Sequence, residues 1–164
     1  MLNLSELNAL SREEFVRIVG PVFEDSRWIA ERAWEQRPFQ SRNQLHATMC
    51  EIVRSSAAEE KLSLIRAHPD LVGDAVLSAE SQGEQTTAGL SSLTPNETNQ
   101  FREHNRSYRE RFGFPFVICA RLNKKEAILR AFPERLEHSR DEEIDTALAE
   151  IYKIADLRLR DLMQ

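Results

Sequence analysis

One histidine of this chain stands where a helix must end, with carboxylates close behind it. His68 precedes Pro69, and Asp70 and Asp74 follow two and six residues after the histidine. A proline disfavours helical backbone for the residue before it, so the helix predicted over residues 57–67 should end at about His68. An imidazole at such a rim can transfer protons near neutral pH, but a histidine there can also simply cap the negative end of the helix. These residues alone leave both interpretations open.

An arginine lies on the apolar side of the last predicted helix. Arg158 follows Ile151 by seven residues and Ile144 by fourteen, which is helical spacing. A buried guanidinium is costly unless it is paired. The side chain could therefore extend to the rim of the core, or pair with a structural carboxylate. It could also bind a carboxylate of a substrate through two parallel hydrogen bonds.

Two further stretches could line a pocket for a ring-shaped ligand. Ser81, Glu84 and Gln85 lie at a predicted helix start, where free backbone N–H groups and a side-chain amide suit a ligand rich in amides. Ser81 and Glu84 are equally spaced as a capping box with no other role. The apolar residues 116–120 could present backbone N–H and C=O groups to a ring, or could be plain core.

The composition is that of a globular protein without features for nucleic acid or membranes. The 164 residues suit one domain over residues 1–164, and the net charge of −5 disfavours binding to a phosphate backbone. No apolar run approaches the roughly 20 residues of a membrane span. The N-terminus shows no signal pattern, and the last three residues, ending in Gln164, form no peroxisomal signal. We therefore expect a cytoplasmic protein.

The chain has two cysteines and no pattern of metal ligands. Cys50 and Cys119 fit no metal-ligand spacing, so we expect both to be reduced thiols in or near the core. No set of the candidate residues makes a convincing metal site.

Helix-start signals predict an all-α, single-domain bundle of about seven to nine helices. A Ser or Thr followed three residues later by Glu or Gln is typical of a capping box. The pattern occurs at Ser11, Ser41, Ser56, Ser81, Thr94 and Ser139, with a weaker form at Asn123. The first helix is expected after Ser11, and a short helix should end before Pro133. Residues 114–120 have the composition of a strand but no partner strand, so we interpret them as a buried extended connector.

The ordered set of motifs resembles one enzyme family. Residues 68–74, 81–85 and 88–90 recur there in this order, followed by residues 112–120 and a last helix over residues 151–162 with its arginine. Each motif alone is weak or moderate, but the set with these spacings covers almost the whole chain and is highly specific. The sequence resembles the 2-oxo-4-hydroxy-4-carboxy-5-ureidoimidazoline (OHCU) decarboxylase family, which catalyses the last step from urate to allantoin in purine catabolism.

The resemblance implies an all-α carboxy-lyase that needs no cofactor, is commonly a homodimer and converts the ureidoimidazoline to (S)-allantoin and CO2. It implies that His68 is the catalytic acid or base, that Glu84 binds the ureido side of the substrate and that Arg158 binds the anionic side. Contacts with the substrate are implied for Pro69, Ser81, Gln82, Gly83, Glu84, Gln85, Phe116, Val117, Ile118, Cys119 and Ala120. Asp70 could orient the imidazole.

Two binding functions are alternatives to catalysis. J-domains of co-chaperones also carry His-Pro-Asp after a helix and use it to engage an Hsp70, but basic residues usually follow it there, whereas Leu-Val-Gly follows it here at residues 71–73. A J-domain is also much shorter than this chain. The second alternative is an inactive homologue that binds the ligand without turnover, and the intact His68, Glu84 and Arg158 disfavour it.

Overall fold

The protein is all-helical across the residues that the structure describes. This computed structural model describes residues 1–163, so Gln164, which ends the C-terminal tripeptide, lies outside it. Nine α-helices lie within residues 1–163: α1 Leu4–Ala9, α2 Arg12–Val19, α3 Arg27–Trp34, α4 Arg42–Arg54, α5 Ala58–Arg66, α6 Ala79–Thr87, α7 Pro95–Phe112, α8 Lys125–Leu136 and α9 Arg140–Leu162. Two short 3₁₀ helices, Gly20–Val22 and Ala120–Leu122, interrupt the loops. The predicted all-α class and helix number are confirmed.

Capping side chains start four of the helices where the sequence predicts. Ser11, Ser41, Thr94 and Ser139 each accept a hydrogen bond from the backbone N–H three residues further on, at 3.0 to 3.3 Å. Such a cap satisfies one of the N-terminal amides that no helical carbonyl can reach. The helices α2, α4, α7 and α9 therefore begin at positions determined by local sequence.

Two other predicted starts are wrong because the capping residue is used elsewhere. The hydroxyl of Ser56 donates to the carbonyl of Val53 at the end of α4 (2.6 Å), and α5 begins one residue later than predicted, after Ala57. The side-chain amide of Asn123 donates to the carbonyl of Cys119 (3.0 Å), and α8 likewise begins one residue late. In both cases the side chain donates to a carbonyl of the preceding segment and so does not accept from the first amides of the next helix.

One helix was not predicted, and another extends further than predicted. An unpredicted helix, α1, precedes Ser11 and is capped by Asn3, whose side chain accepts from the Glu6 N–H (2.9 Å). Helix α8 does not end before Pro133 but continues to Leu136. Its last turn carries Arg135, which is bound in the interior, so tertiary contacts outweigh the bond that a proline removes from a helix.

The first of two compact units comprises Met1–Ala67 and the chain from Tyr152 onward. It contains α1 to α5 and the end of α9, and a parallel bridge joins Leu2 to Met163. Phe15 stacks on Phe39 in its core (ring centroids 6.3 Å apart). The prediction of one domain over residues 1–164 stays a prediction.

The second compact unit, His68–Ile151, is built around an aromatic core. Its buried rings are Phe101, Tyr108, Phe112, Phe114, Phe116 and Phe132. Residues 115–119 have no regular secondary structure and all but Ile118 are buried, as predicted for a buried connector, but Ala120 already begins the second 3₁₀ helix. Phe116 stacks on Phe132 with ring centroids 3.8 Å apart and meets Tyr108 edge-on at 5.3 Å. The plain-core interpretation therefore holds for the Phe116 side chain, and its packing fixes the backbone on either side.

No helix within residues 1–163 has the length and apolar character needed to cross a membrane. Both cysteines are free and buried, as predicted.

The thiol of Cys50 is expected to be inert in the folded protein. Burial raises the pKa of this thiol to about 11, from an ordinary 9.0. Since only the thiolate reacts, alkylation by iodoacetamide at about pH 8 should be roughly a hundred times slower than for the same cysteine in unfolded chain. Mass spectrometry of the Cys50 peptide, labelled with and without urea, measures this ratio. Equal labelling rates in the two states would contradict it.

Candidate active site

His68 lies two residues beyond the end of α5. The helix ends at Arg66, so the predicted break before Pro69 is confirmed. Only 6% of the His68 surface is exposed. A histidine that only caps a helix end is usually exposed to solvent. This imidazole is buried instead, which favours a role within a site over simple capping.

A tight turn follows the histidine over residues 70–73. Val72 has a φ of 56°, in the left-handed region that a β-branched residue rarely adopts. A Cβ on Gly73 would lie 3.0 Å from the Cβ of Asp70 and 3.2 Å from its carbonyl oxygen, so a larger residue there would push Asp70 away by a few tenths of an ångström. The carboxylate of Asp70 accepts from Nε of Arg109 at 2.9 and 3.1 Å. This carboxylate contacts α7, and the suggestion that it orients the imidazole stays a prediction.

Helix α6 carries the polar residues 81–85, but it begins three residues earlier than predicted. Ser78 is the cap, and its hydroxyl accepts from the Ser81 N–H (3.1 Å), so the predicted cap at Ser81 is wrong. Ser81 therefore lies inside the first turn and is buried. The helix places Ser81, Glu84 and Gln85 on one side, buried or half-buried, whereas Gln82 and Gly83 are exposed.

Gln85 joins α6 to the turn after the histidine. Its Oε1 accepts from the Val72 N–H (3.2 Å), and its Nε2 donates to the Asp70 carbonyl (3.4 Å). The amide that the resemblance assigns to substrate thus also holds the backbone next to His68. Because Gln85 is buried, both contacts are shielded from competing water.

The connector over residues 116–120 is held on both sides of Ile118. Nη1 of Arg135 donates to the Val117 carbonyl (2.5 Å), and the Cys119 N–H donates to the carboxylate of Glu150 (2.8 Å). The backbone N–H and C=O groups of Ile118 lie between these two anchors. The connector leads into the 3₁₀ helix Ala120–Leu122, which packs against α6. The second unit therefore brings together the histidine turn, the inner side of α6 and the connector.

A buried charge network supports the connector. Glu143 is fully buried and accepts hydrogen bonds from Arg135 Nε, the Tyr108 hydroxyl (2.5 Å) and His138 Nδ1 (2.9 Å). The guanidinium of Arg135 also lies 4.1 Å from the ring centre of Phe116. Burial, together with the bond to Glu143, raises the pKa of the Tyr108 hydroxyl, which remains a donor. Sequence reasoning missed this network.

Arg158 is engaged within the first unit. It is 6% exposed, its Nη2 lies 2.9 Å from the carboxylate of Glu24, and its Nη1 donates to the Pro21 carbonyl (3.0 Å). The interpretation that it pairs with a structural carboxylate is confirmed. Nothing in the sequence marks Glu24 as the partner.

No three His, Cys, Asp or Glu side chains among residues 1–163 are placed to share a metal ion.

Similarity to known proteins identifies the family of this chain. A family profile described as OHCU decarboxylase matches residues 8–160. The chain belongs to the OHCU decarboxylase family. Over 161 residues it is 40% identical to the 2-oxo-4-hydroxy-4-carboxy-5-ureidoimidazoline decarboxylase of Halalkalicoccus jeotgali, an alignment that covers 98% of this chain and 92% of that protein. Membership of the OHCU decarboxylase family decides against the J-domain interpretation.

Two solved structures extend the similarity to the fold. A crystal structure of (S)-allantoin synthase matches with a TM-score of 0.82 and 30% sequence identity, covering 99% of this chain and 54% of the other. A crystal structure of OHCU decarboxylase in the presence of (S)-allantoin matches with a TM-score of 0.72 and 25% identity, covering 86% of this chain and 94% of the other.

Proposed function

We propose that this protein decarboxylates OHCU to (S)-allantoin and CO2, the last step from urate to allantoin. Membership of the OHCU decarboxylase family across residues 8–160 is the observation that carries this conclusion. The relative named for this activity and the solved decarboxylase with (S)-allantoin support the substrate and the product. The protein is then a carboxy-lyase of purine catabolism.

The substrate itself supplies what a cofactor supplies in other decarboxylases. Its carboxylate and a hydroxyl share one ring carbon, next to a C=N bond. When the carbon–carboxylate bond breaks, the electron pair forms a ring C=C bond and the C=N electrons move to nitrogen, which takes a proton. The resulting enol then becomes a carbonyl while the neighbouring ring carbon is protonated. The chemistry is therefore consistent with the expectation that no metal or organic cofactor takes part.

In this proposal His68 is the catalytic acid or base. Its imidazole bonds the substrate hydroxyl and moves that proton as CO2 leaves, a task that imidazole side chains commonly perform in enzymes. The burial of His68 supports the role, because a proton-transfer partner in a dry site competes less with water. Protonation of the ring from one face then sets the handedness of allantoin.

The other residues bind and orient the ring. Glu84 takes the ureido N–H groups on the half-buried side of α6, where Ser81 and Gln85 also lie. Between its two anchors the connector offers the peptide of Ile118 to the ring edge. Pro69 closes the pocket next to His68. Contacts from Gln82 and Gly83 to the substrate stay predictions, as do those from Phe116, Val117, Cys119 and Ala120.

Arg158 binds the anionic side of the substrate in this proposal. Its pairing with Glu24 supports this role, because the carboxylate holds the guanidinium in one orientation. We further propose a homodimer and a cytoplasmic location.

The proposal is tested by making the unstable substrate in the cuvette. Uricase and hydroxyisourate hydrolase produce it from urate, and its decay is then followed with and without this protein. We expect decay well above the spontaneous rate. Well-folded protein that binds (S)-allantoin but does not accelerate decay would instead support an inactive homologue.

Replacing Arg158 by methionine should raise KM more than it lowers kcat. A charge-assisted hydrogen bond contributes about 1.5–3 kcal/mol, so a rise of roughly 10- to 100-fold is expected. The single change also leaves Glu24 buried without its cation, so the double variant Arg158→Met/Glu24→Gln is used to preserve the fold. Steady-state kinetics on the double variant measure the effect, with Arg160→Met, which removes an exposed arginine of the same helix, as the matched control. An unchanged KM in the double variant would exclude anion binding by Arg158.

A further inference from the structure

Three consecutive residues after the histidine are each held by a side chain from a neighbouring helix. The carboxylate of Asp70 is held by Arg109, the carbonyl of Leu71 accepts from Nδ2 of Asn105 at 2.7 Å, and the N–H of Val72 is held by Gln85. We propose that Asn105 and Arg109 are positioning residues that fix the place of the His68 imidazole. This inference rests on the catalytic role proposed for His68.

The turn needs such anchors because it is strained. Val72 has a positive φ, and a Cβ at Gly73 would come within 3.0 Å of the Asp70 side chain. Strained backbone persists only where its surroundings over-determine it. A relaxed turn would shift Pro69 and His68, which lie one and two residues before Asp70.

Asn105 is an unusual residue for its place on α7. It is 6% exposed and shares the buried stripe of this helix with Phe101, Tyr108 and Phe112. Its Oδ1 is buried and has no hydrogen-bond partner within residues 1–163. A leucine would pack there without a buried unsatisfied oxygen, so the asparagine is poorly explained by packing. The hydrogen bond from its Nδ2 to the Leu71 carbonyl is the interaction that a leucine could not provide.

Arg109 supports the same turn from the surface, one helical turn further along α7. Its Nε–H is shared between both oxygens of Asp70 in a bifurcated hydrogen bond, at 2.9 and 3.1 Å. Its side chain is 47% exposed. Removing it should therefore not disturb the core, which makes it a second test that does not depend on a buried substitution.

The test compares Asn105→Leu and Arg109→Met with the unchanged protein. We expect kcat to fall by about tenfold or more, because a small misplacement of a reacting group is costly, while KM stays within about threefold. The urea midpoint of Arg109→Met should not fall, because the ion pair that it removes is partly exposed. Asn105→Leu also leaves the Leu71 carbonyl without its buried donor, so its helix content is checked by circular dichroism. Arg130→Met, which removes an exposed arginine of α8, is the matched control and should keep the original kcat.

Hydrogen exchange of the amides in residues 70–74 gives an independent reading of the turn. We expect faster exchange in both variants than in the unchanged protein. A variant with the original kcat would overturn the inference, as would a rise in KM alone. An inactive unchanged protein would instead overturn the proposed function, and faster exchange in the variants would then still show that Asn105 and Arg109 hold the turn.

Discussion

Replacing His68 by asparagine is expected to lower kcat by about 10²- to 10⁴-fold, the usual contribution of a positioned acid or base. Asparagine has a similar size and can donate and accept hydrogen bonds, but it cannot take up or release a proton near neutral pH. The buried site therefore stays filled while the chemistry is lost. Steady-state kinetics of the coupled reaction from urate measure the change.

A second histidine of the same unit provides the matched control. His104 lies half-buried on α7 and stacks on Phe132 with ring centroids 5.0 Å apart. His104→Asn removes an imidazole without touching the proposed site, so its kcat should stay close to that of the unchanged protein. Far-ultraviolet circular dichroism should show the same helix content in both variants. An active and well-folded His68→Asn enzyme would exclude His68 as the acid or base.

Replacing Glu143 by alanine is expected to lower the free energy of unfolding by about 3–5 kcal/mol, because it leaves Arg135 charged and buried without its partner. The carboxylate is fully buried and binds three side chains, of which Arg135 is only 6% exposed. Loss of the network also frees the Val117 carbonyl end of the connector. Urea unfolding followed by circular dichroism measures the change.

An exposed ion pair gives the control for this result. Arg160 lies 2.7 Å from Asp156 on the surface of α9, and Arg160→Ala should change stability by no more than about 1 kcal/mol. Glu143→Gln keeps the shape and some of the bonds, so its effect should fall between those of the other two variants. A loss below about 1 kcal/mol in Glu143→Ala would show that the buried pair does not stabilise the second unit.

The features that sequence reasoning predicted well depend on neighbouring residues. The break after α5 follows from Pro69 alone, and the caps at Ser11 and Thr94 follow from residues three apart. The extended connector was predictable because its strand-like composition had no partner strand. The predicted start of α5 was wrong by one residue, because the Ser56 hydroxyl bonds back to the Val53 carbonyl. The predicted start of α6 was wrong by three residues, because Ser78 rather than Ser81 caps the helix.

The features that it missed depend on residues far apart in the chain. Glu24 forms an ion pair with Arg158, and Glu143 accepts a hydrogen bond from the Tyr108 hydroxyl, but no local sequence pattern links the members of either pair. Asn105 had a signal, because it is a polar residue on an otherwise apolar helical stripe. That signal shows that a partner is needed, and only the fold shows that the partner is the turn after His68.

The handedness of the product tests the central claim most directly. Allantoin formed from urate by uricase and hydroxyisourate hydrolase alone is racemic, because the last step is then spontaneous. With this protein added, circular dichroism should show the rapid appearance of the (S) enantiomer. Racemic product formed at the spontaneous rate, with well-folded protein present, would contradict the proposed decarboxylase activity.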